Sequence, residues 1–340
     1  MVTSLVRFSQ KLPGLKQFPP ETILFYDRKT LQHPQIKNWI LGFKYKIALN
    51  AGESLKTLHS YATTLNQVQK MTQTYGLGGS QLTFVALGGG SVGDFAGFVA
   101  STYQRGRKFI SIPSTWLAAI DSAHGGKTGL NLNGVKNQIG TFYPATEIHI
   151  CESVLKTLPP QALNDAFAEA LKICLINRPG LFFKISKTHR SLFQHLPQLV
   201  KAKYDVVKKD PLEKKGLRKL LNLGHTVGHV FESMHDLTHG QAIFFGTLFS
   251  LRFSLKRKFI SWDEFQFITE KLFSIQAVMT YQEALRMPTK GVRNRLMQDK
   301  KISSHQNVDF IFVRALGKTF VKSIQVNEII QELLRQQQEL

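Results

Sequence analysis

The stretch "LTFVALGGGSVGDFAGF", Leu82–Phe98, decides the fold. An apolar, β-rich run enters three consecutive glycines and leaves them as a helical pattern, which is the sequence form of a strand–turn–helix unit. Gly88, Gly90 and Gly93 satisfy the literal GxGxxG spacing. Bare backbone at such a turn lets N–H groups approach a pyrophosphate, with the positive end of the following helix behind them. The glycines nevertheless lie well inside the chain rather than in its first βα unit, and no acidic residue ends a strand ~20 positions later. Two readings therefore stand: a dinucleotide site, or a tight strand-to-helix turn.

Working outward, further strands are expected at Thr22–Asp27, Tyr45–Leu49, Leu82–Leu87, Lys108–Ile112 and Glu147–Cys151. The intervening "SLKTLHSYATTLNQVQKMT" has apolar residues three and four apart and reads as a helix. Strands alternating with helices predict a mostly parallel sheet. After "TLPPQ" the texture changes to long helical patterns, so an α/β domain over 1–158 is expected to precede a mainly α-helical domain over 159–340. One hairpin interrupts the helices, with "VDFIFV" and "FVKSI" around Leu316-Gly317-Lys318. The last helix carries Val326, Ile329, Ile330, Leu333 and Leu334 as an apolar stripe behind an Asn327 cap.

The 340 residues have room for two cores, and 43% hydrophobic with 20% charged residues is a globular composition. The longest apolar stretch, Ala242–Leu251, stops at Arg252, short of the roughly 18 residues of a membrane span. The N-terminus lacks an apolar secretory core, so a cytoplasmic location is expected. Cys151 and Cys174 sit in apolar segments and read as core thiols. The net charge of +21 attracts anions. The basic residues are spread out, with a modest cluster at Lys201–Lys219 and no nucleic-acid module. An anionic small molecule is therefore expected as partner rather than nucleic acid, with most of the charge on a solvated surface.

"DSAHGGKTGLNLNGVKNQIG", Asp121–Gly140, sets Lys127 and Lys136 among glycines, beside Asp121 and Asn137. Lysines supply compact charges for phosphate or carboxylate oxygens, so an anion site is the direct reading; an exposed basic loop is the alternative. Farther on, "LGHTVGHVFESMHDLTHG" holds His225, His229, His235 and His239. At i, i+4 spacing His225 and His229 share a helix face, as would His235 and His239 if that segment were helical. Thr226 follows the first histidine where HExxH requires Glu, which excludes a zincin. A metal set would need a group from elsewhere, and Glu169, paired with Lys172 at i, i+3, is a candidate. Structural, hydrogen-bonded histidines are the alternative.

Eight ordered motifs then become specific: "GGGSVGDFAGFVASTYQRG", "IPSTWLAAIDSAHGGKTG", "KNQIGTFY", "TLP", "AEALK", "GLRKLLNLGHTVGHVFE", "HGQA" and "DKK". Over Ala51 to Gly317 the chain resembles the sugar phosphate cyclases, and among them the 3-dehydroquinate synthases. The resemblance implies a nucleotide-binding α/β domain and a helical metal-binding domain, usually in a homodimer. It implies a lyase of the shikimate pathway that converts 3-deoxy-D-arabino-heptulosonate 7-phosphate to 3-dehydroquinate and phosphate. The steps are transient oxidation by NAD, phosphate elimination, re-reduction, ring opening and aldol closure.

Carried over motif by motif, the divalent metal, zinc or cobalt, falls to Glu169, His225 and His239. NAD falls to Asp27, Glu53, Lys56, Gly88, Gly89, Gly90, Val92, Asp94, Ser114, Thr115, Thr157 and Leu158. Substrate contacts fall to Asp121, Lys127, Lys136, Asn137, Lys172, Lys203, Arg218, Asn222 and His229, of which Lys127, Lys172, Asn222 and His229 take the catalytic roles. Arg105 reaches the neighbouring subunit's phosphate site, and Lys300 or Lys301 completes it. His235 matches no motif position.

The chain departs from the family pattern at several points. Gln241 stands where the family has Glu, Val135 precedes Lys136 in place of glycine, Lys29 replaces the asparagine near Asp27, and "VVKKDPLEKKGLR" is one residue longer. The rival readings are a related cyclase acting on another sugar phosphate, a metal- and NAD-dependent polyol dehydrogenase, and a catalytically lapsed nucleic-acid-binding descendant suggested by the +21 charge. Arg218, Asn222 and the "DKK" lysines favour a substrate carrying both carboxylate and phosphate.

Overall fold

The computed structural model describes residues 4–78, 80–297 and 307–339; Lys300 and Lys301 lie outside them. Its contacts divide the chain into two compact units, Met1–Ala162 and Leu163–Leu340.

In the first unit the strands are β1 (Leu5–Ser9), β2 (Thr22–Asp27), β3 (Tyr45–Leu49), β4 (Thr83–Gly88), β5 (Lys108–Pro113), β6 (Lys127–Leu132), β7 (Val135–Phe142) and β8 (Glu147–Cys151). Between them run α1 (Pro34–Leu41), α2 (Leu58–Tyr75) and α3 (Gly90–Thr102), and after them α4 (Glu152–Leu155). Six strands form one parallel sheet in the order β1-β8-β5-β4-β2-β3. Five are those expected from the sequence. β1 was not: it is a short edge strand whose residues alternate between exposed and half-buried, so "LVRFS" has no apolar run to give it away.

β4 is buried along its whole length, as a strand covered on both faces must be. The chain steps from β2 outward to β3 and then returns to β4 on the other side of β2. The strand order therefore reverses between β2 and β4, and such a reversal is where open α/β sheets bind ligands, at the carboxyl ends of the strands. Asp27 ends β2 and Gly88 ends β4, in strands whose register pairs Tyr26 with Leu87.

The 121–140 segment is only partly a loop. β6 and β7 form an antiparallel hairpin around Asn133-Gly134, both with positive φ (50° and 76°). Asn-Gly between two β runs is the strongest short hairpin signal a sequence offers, yet the expectation passed over it for an anion site or basic loop.

The second unit contains the rest of α5 (Pro160–Asn177), then α6 (Pro179–Phe182), α7 (His189–Val207), α8 (His225–His235), α9 (His239–Lys256), α10 (Trp262–Leu272), α11 (Tyr281–Leu285) and α12 (Thr289–Met297). The antiparallel pair β9 (Asn307–Ala315) and β10 (Lys318–Gln325) and the helix α13 (Val326–Glu339) follow. This is the expected helical part with, among the described residues, its one hairpin.

Two local expectations are corrected. α13 begins at Val326, one residue before the supposed Asn327 cap, and the Gln325 amide donates to Glu328 instead. Of the stripe, Val326, Ile329, Ile330 and Leu333 are buried while Leu334 is 38% exposed. Each fully buried aliphatic side chain contributes about 1.5–3 kcal/mol, enough to dock the helix without a cap worth about 1 kcal/mol.

α8 and α9 approach to backbone contact. A Cβ on Gly246 would lie 1.9 Å from the Gly224 carbonyl oxygen, and one on Gly228 2.9 Å from that of Ala242. Glycine thus brings the two histidine-bearing helices together, and Phe249, Phe253, Phe310 and Phe312 pack α9 against β9 with ring centroids 4.8–6.2 Å apart. Cys151 and Cys174 are buried free thiols.

Candidate functional site

In the helical unit, Asp165, Glu169 and Lys172 are at i, i+4 and i+7 on α5 and therefore share one face. His225 is the first residue of α8 and His239 the first of α9. Glu169, His225 and His239 each offer one ligand atom, and these atoms lie within 4.8 Å of one another. The His225 ring centroid is 5.4 Å from that of His239 and 5.5 Å from that of His229. His225 Nδ1 lies 3.2 Å from the Leu223 carbonyl; donating there leaves Nε2 with its lone pair.

Glu169 is 1% exposed, and neither of its carboxylate oxygens accepts a hydrogen bond among the described residues. Its charge is met by the equally buried Lys172 ammonium at 2.5 Å. A buried carboxylate with open lone pairs beside two imidazoles fits a divalent ion of the zinc or cobalt type. His239 has its pKa raised: burial alone would lower it, and the Glu169 and Glu232 carboxylates outweigh that. Glu232 is 3.9 Å from Nδ1, beyond hydrogen-bond reach, so its influence is that of a nearby charge.

His229, on α8, is exposed. His235 is not on a common helix face with His239, because α8 ends at His235 and Asp236 turns the chain with φ 52°. Its Nε2 instead meets the Ala284 carbonyl at 2.8 Å, a packing role.

Lys172 also donates to the Leu221 carbonyl at 2.8 Å, tying α5 to the turn that carries Asn222. Arg218, in the same turn, is buried and donates from Nη1 to the Pro211 carbonyl at 3.0 Å. What holds this turn is Asp210, 1% exposed, whose carboxylate accepts the amides of Lys215 at 3.0 Å and Arg218 at 3.4 Å. Those amides, with those of Lys214 and Leu217, keep the Asp210 pKa below the usual carboxylate range against a desolvation that would raise it. Segment 206–218 is thus wrapped around a buried anion, with Glu213 in a left-handed conformation (φ 57°). Lys203 is buried on α7.

In the α/β unit, Gly89 precedes α3 and Gly88 ends β4. A Cβ on Gly88 would lie 2.4 Å from that of Val92, so glycine lets the helix turn directly off the strand. A cavity there is lined by Gly88, Gly89, Gly90, Asp94, Ser122 and Lys127. Ser114 donates its amide to the Gly88 carbonyl, and Thr115 Oγ1 accepts the Ala118 amide. Asp121 lies in a single π-helical turn, Ala118–Ser122, a distortion frequent at functional sites.

Lys56, buried, donates to Asp94 at 2.9 Å and to Asn137 at 2.5 Å, and Asn131 on β6 donates to Glu53 at 2.7 Å. The β6–β7 hairpin is thereby fastened to the Glu53–Lys56 turn, which joins Glu53, Lys56, Asp94 and Asn137 in one network. Lys127, Lys136 and Asn137 are exposed. The Asp27 carboxylate accepts the Lys29 amide at 3.1 Å; this bond is to backbone, so it does not depend on the residue type at 29. Thr157 donates to the Val154 carbonyl, and Leu158 follows it half-buried. Arg105 is exposed with a left-handed backbone (φ 67°), next to left-handed Gln104.

Asp165, Thr238 and Asp210 escaped sequence reasoning. Asp165 and Thr238 bond to each other across α5 and α9, and Asp210 bonds to the backbone of its own loop; no spacing rule announces either. No helix among the described residues is long and apolar enough to cross a membrane.

Comparison with known proteins agrees with this architecture. Solved structures of 2-deoxy-scyllo-inosose synthase with carbaglucose-6-phosphate, NAD+ and Co2+ (TM-score 0.80, 23% identity, 95% of this chain and 93% of that one) share the fold. So does 2-epi-5-epi-valiolone synthase from Streptomyces hygroscopicus with NAD+ and Zn2+ (TM-score 0.77, 21% identity, 100% and 98%). Among curated relatives, the 3-dehydroquinate synthase of Alkaliphilus oremlandii is 34% identical over 304 residues, covering 86% of this chain and 81% of that protein. That of Staphylococcus aureus is 33% identical over 289 residues, covering 82% and 78%. The family models for the 3-dehydroquinate synthase N-terminal and C-terminal parts match residues 46–165 and 166–302, so the chain belongs to the 3-dehydroquinate synthase family.

Proposed function

We propose that this protein is an NAD- and metal-dependent 3-dehydroquinate synthase, taking 3-deoxy-D-arabino-heptulosonate 7-phosphate to 3-dehydroquinate and phosphate. The observation that carries the reading is the buried Glu169 carboxylate, without hydrogen bonds among the described residues, beside His225 and His239 in a chain of this family. Glu169, His225 and His239 would hold the divalent ion, and the Gly88–Gly90 end of β4 with Val92, Asp94, Ser114, Thr115, Asp27, Glu53, Lys56, Thr157 and Leu158 would take the dinucleotide. When bound, the metal supplies Lewis acidity toward a substrate hydroxyl and NAD supplies a reversible hydride step.

The chain's own residues do the rest. Lys136, Lys203 and Arg218 meet the carboxylate and phosphate with charge-assisted hydrogen bonds, Asp121, Asn137 and Asn222 orient hydroxyls, and Lys127 and Lys172 stabilise negative charge as phosphate leaves. His229, exposed on α8, holds and moves a proton on its imidazole. The Asp210-anchored turn keeps Arg218 in one orientation, so little of its freedom remains to be lost on binding.

The active form is a cytoplasmic homodimer in which Arg105 completes the neighbouring subunit's phosphate site together with Lys300 or Lys301. Exposure and the left-handed backbone at Arg105 support that role. The other-cyclase reading is less favoured, because identities of 33–34% to dehydroquinate synthases exceed the 21–23% to the inosose and valiolone enzymes. A Glu169→Ala variant tests the assignment: phosphate release and bound metal should both be lost, and normal metal content with retained activity would refute it.

A further inference from the structure

We propose that Thr238 and Asp165 form a clasp that positions His239 for the metal, making both positioning residues of that centre; the inference rests on Glu169, His225 and His239 being the ligands. Thr238 precedes α9 with the extended backbone of an N-cap (φ −65°, ψ 155°), where a threonine hydroxyl ordinarily accepts an amide of the first turn. It makes no such bond. Its Oγ1 instead donates to Asp165 Oδ1 at 2.6 Å, across to α5. The hydroxyl is diverted from capping its own helix to a tertiary contact, a local rule broken at a functional place.

On the other side of His239, Gly240 abuts the same residue: a Cβ there would lie 2.2 Å from the Asp165 Cα and 2.7 Å from its carbonyl oxygen. The residues flanking the ligand are therefore both pinned to Asp165, which sits one turn before Glu169 on α5. Two fixed points around His239, referred to the helix that carries Glu169, set the separation of the two ligands. Gln241, buried with Nε2 lacking a hydrogen-bond partner among the described residues, takes no part in the clasp.

The test is Co2+ affinity by chelator competition, with the Co2+ absorption spectrum and the melting curve of the metal-free protein, on the full chain without substrate or NAD. Thr238→Val, which keeps the shape and removes the donor, should weaken binding about 10- to 100-fold and alter the spectrum. Thr238→Ser should stay within about threefold. Asp165→Ala should match Thr238→Val, and the double variant should be no weaker than either alone, since one bond is removed in all three. Wild-type affinity in Thr238→Val, or equal losses in the Ser and Val variants, would overturn the clasp.

If Thr238→Val does not fold, Asp165→Asn, which keeps an acceptor oxygen, reads the same contact. It should bind within about threefold of wild type, and a tenfold loss would overturn the proposal. An unsubstituted protein that takes up no Co2+ overturns it as well. Unsubstituted protein that binds Co2+ but releases no phosphate refutes the synthase reading and leaves the clasp standing.

Discussion

Replacing Lys172 by methionine separates two roles that the structure gives one side chain. The Lys172 ammonium and Glu169 carboxylate are 2.5 Å apart with both side chains 2% exposed, and among the described residues Glu169 has no hydrogen bond to fall back on. At an effective dielectric of ~20, charges ~4 Å apart attract by about 4 kcal/mol. Removing one partner of such a buried pair typically costs about 3–5 kcal/mol, because the other charge stays behind unpaired. For a folding unit of this size each kcal/mol moves the midpoint by roughly 2–4 °C, so metal-free Lys172→Met should melt roughly 6–20 °C below wild type.

A divalent ion on Glu169 would neutralise the orphaned carboxylate and would no longer be repelled by an ammonium. Saturating zinc should then recover more than half of the deficit, with metal affinity undiminished. Phosphate release should stay depressed by about 100-fold or more, since metal does not replace the lysine toward substrate. The assay is differential scanning calorimetry with and without zinc, alongside phosphate release. Equal losses of midpoint with and without zinc, or a tenfold weaker affinity for zinc, would show that Glu169 does not face the ion.

Gly240→Ala should be worse than an ordinary small-to-large change of about 1–3 kcal/mol, because the new methyl meets α5 backbone rather than a movable side chain; calorimetry should show a lower midpoint and titration a weaker metal affinity. Asp210→Ala should raise KM for the heptulosonate phosphate about tenfold or more while leaving metal content intact, since it frees the Arg218 turn and not the metal ligands; unchanged KM would refute the anchoring role. Burial pushes the Cys151 and Cys174 thiols up to about 11 and about 12, so at pH 8 the native protein should react with neither a disulfide reagent nor an alkylating one until it is unfolded.

The sheet was legible because its inner strands are buried on both faces and so read as unbroken apolar runs, as "TFVALG" does. β1 was not, since its residues are exposed or half-buried throughout, whereas β3, the other edge strand, buries every second residue. Asn133-Gly134 carried its hairpin in plain view, but the glycines and lysines around it read first as an anion loop. The histidines show the limit of spacing rules. Their i, i+4 period pairs His225 with His229, yet the close set joins three helices through Glu169 and His239, and only glycine-mediated packing of α8 on α9 and of α9 on α5 brings them together. Resemblance to a family named those ligands; composition and periodicity alone left them open. Asp165 remained invisible because its hydroxyl partner lies 73 residues along the chain, and Asp210 because it binds amides of an irregular loop that no helix or strand period marks.

The most direct measurement follows phosphate and NADH together when purified, metal-loaded protein is given NAD+ and 3-deoxy-D-arabino-heptulosonate 7-phosphate. One phosphate should appear per 3-dehydroquinate formed, with no net NADH and with all release abolished by a chelator and restored by zinc or cobalt. Release of no phosphate from this substrate while another sugar phosphate is cyclised, or steady accumulation of NADH from a simple polyol, would contradict the account.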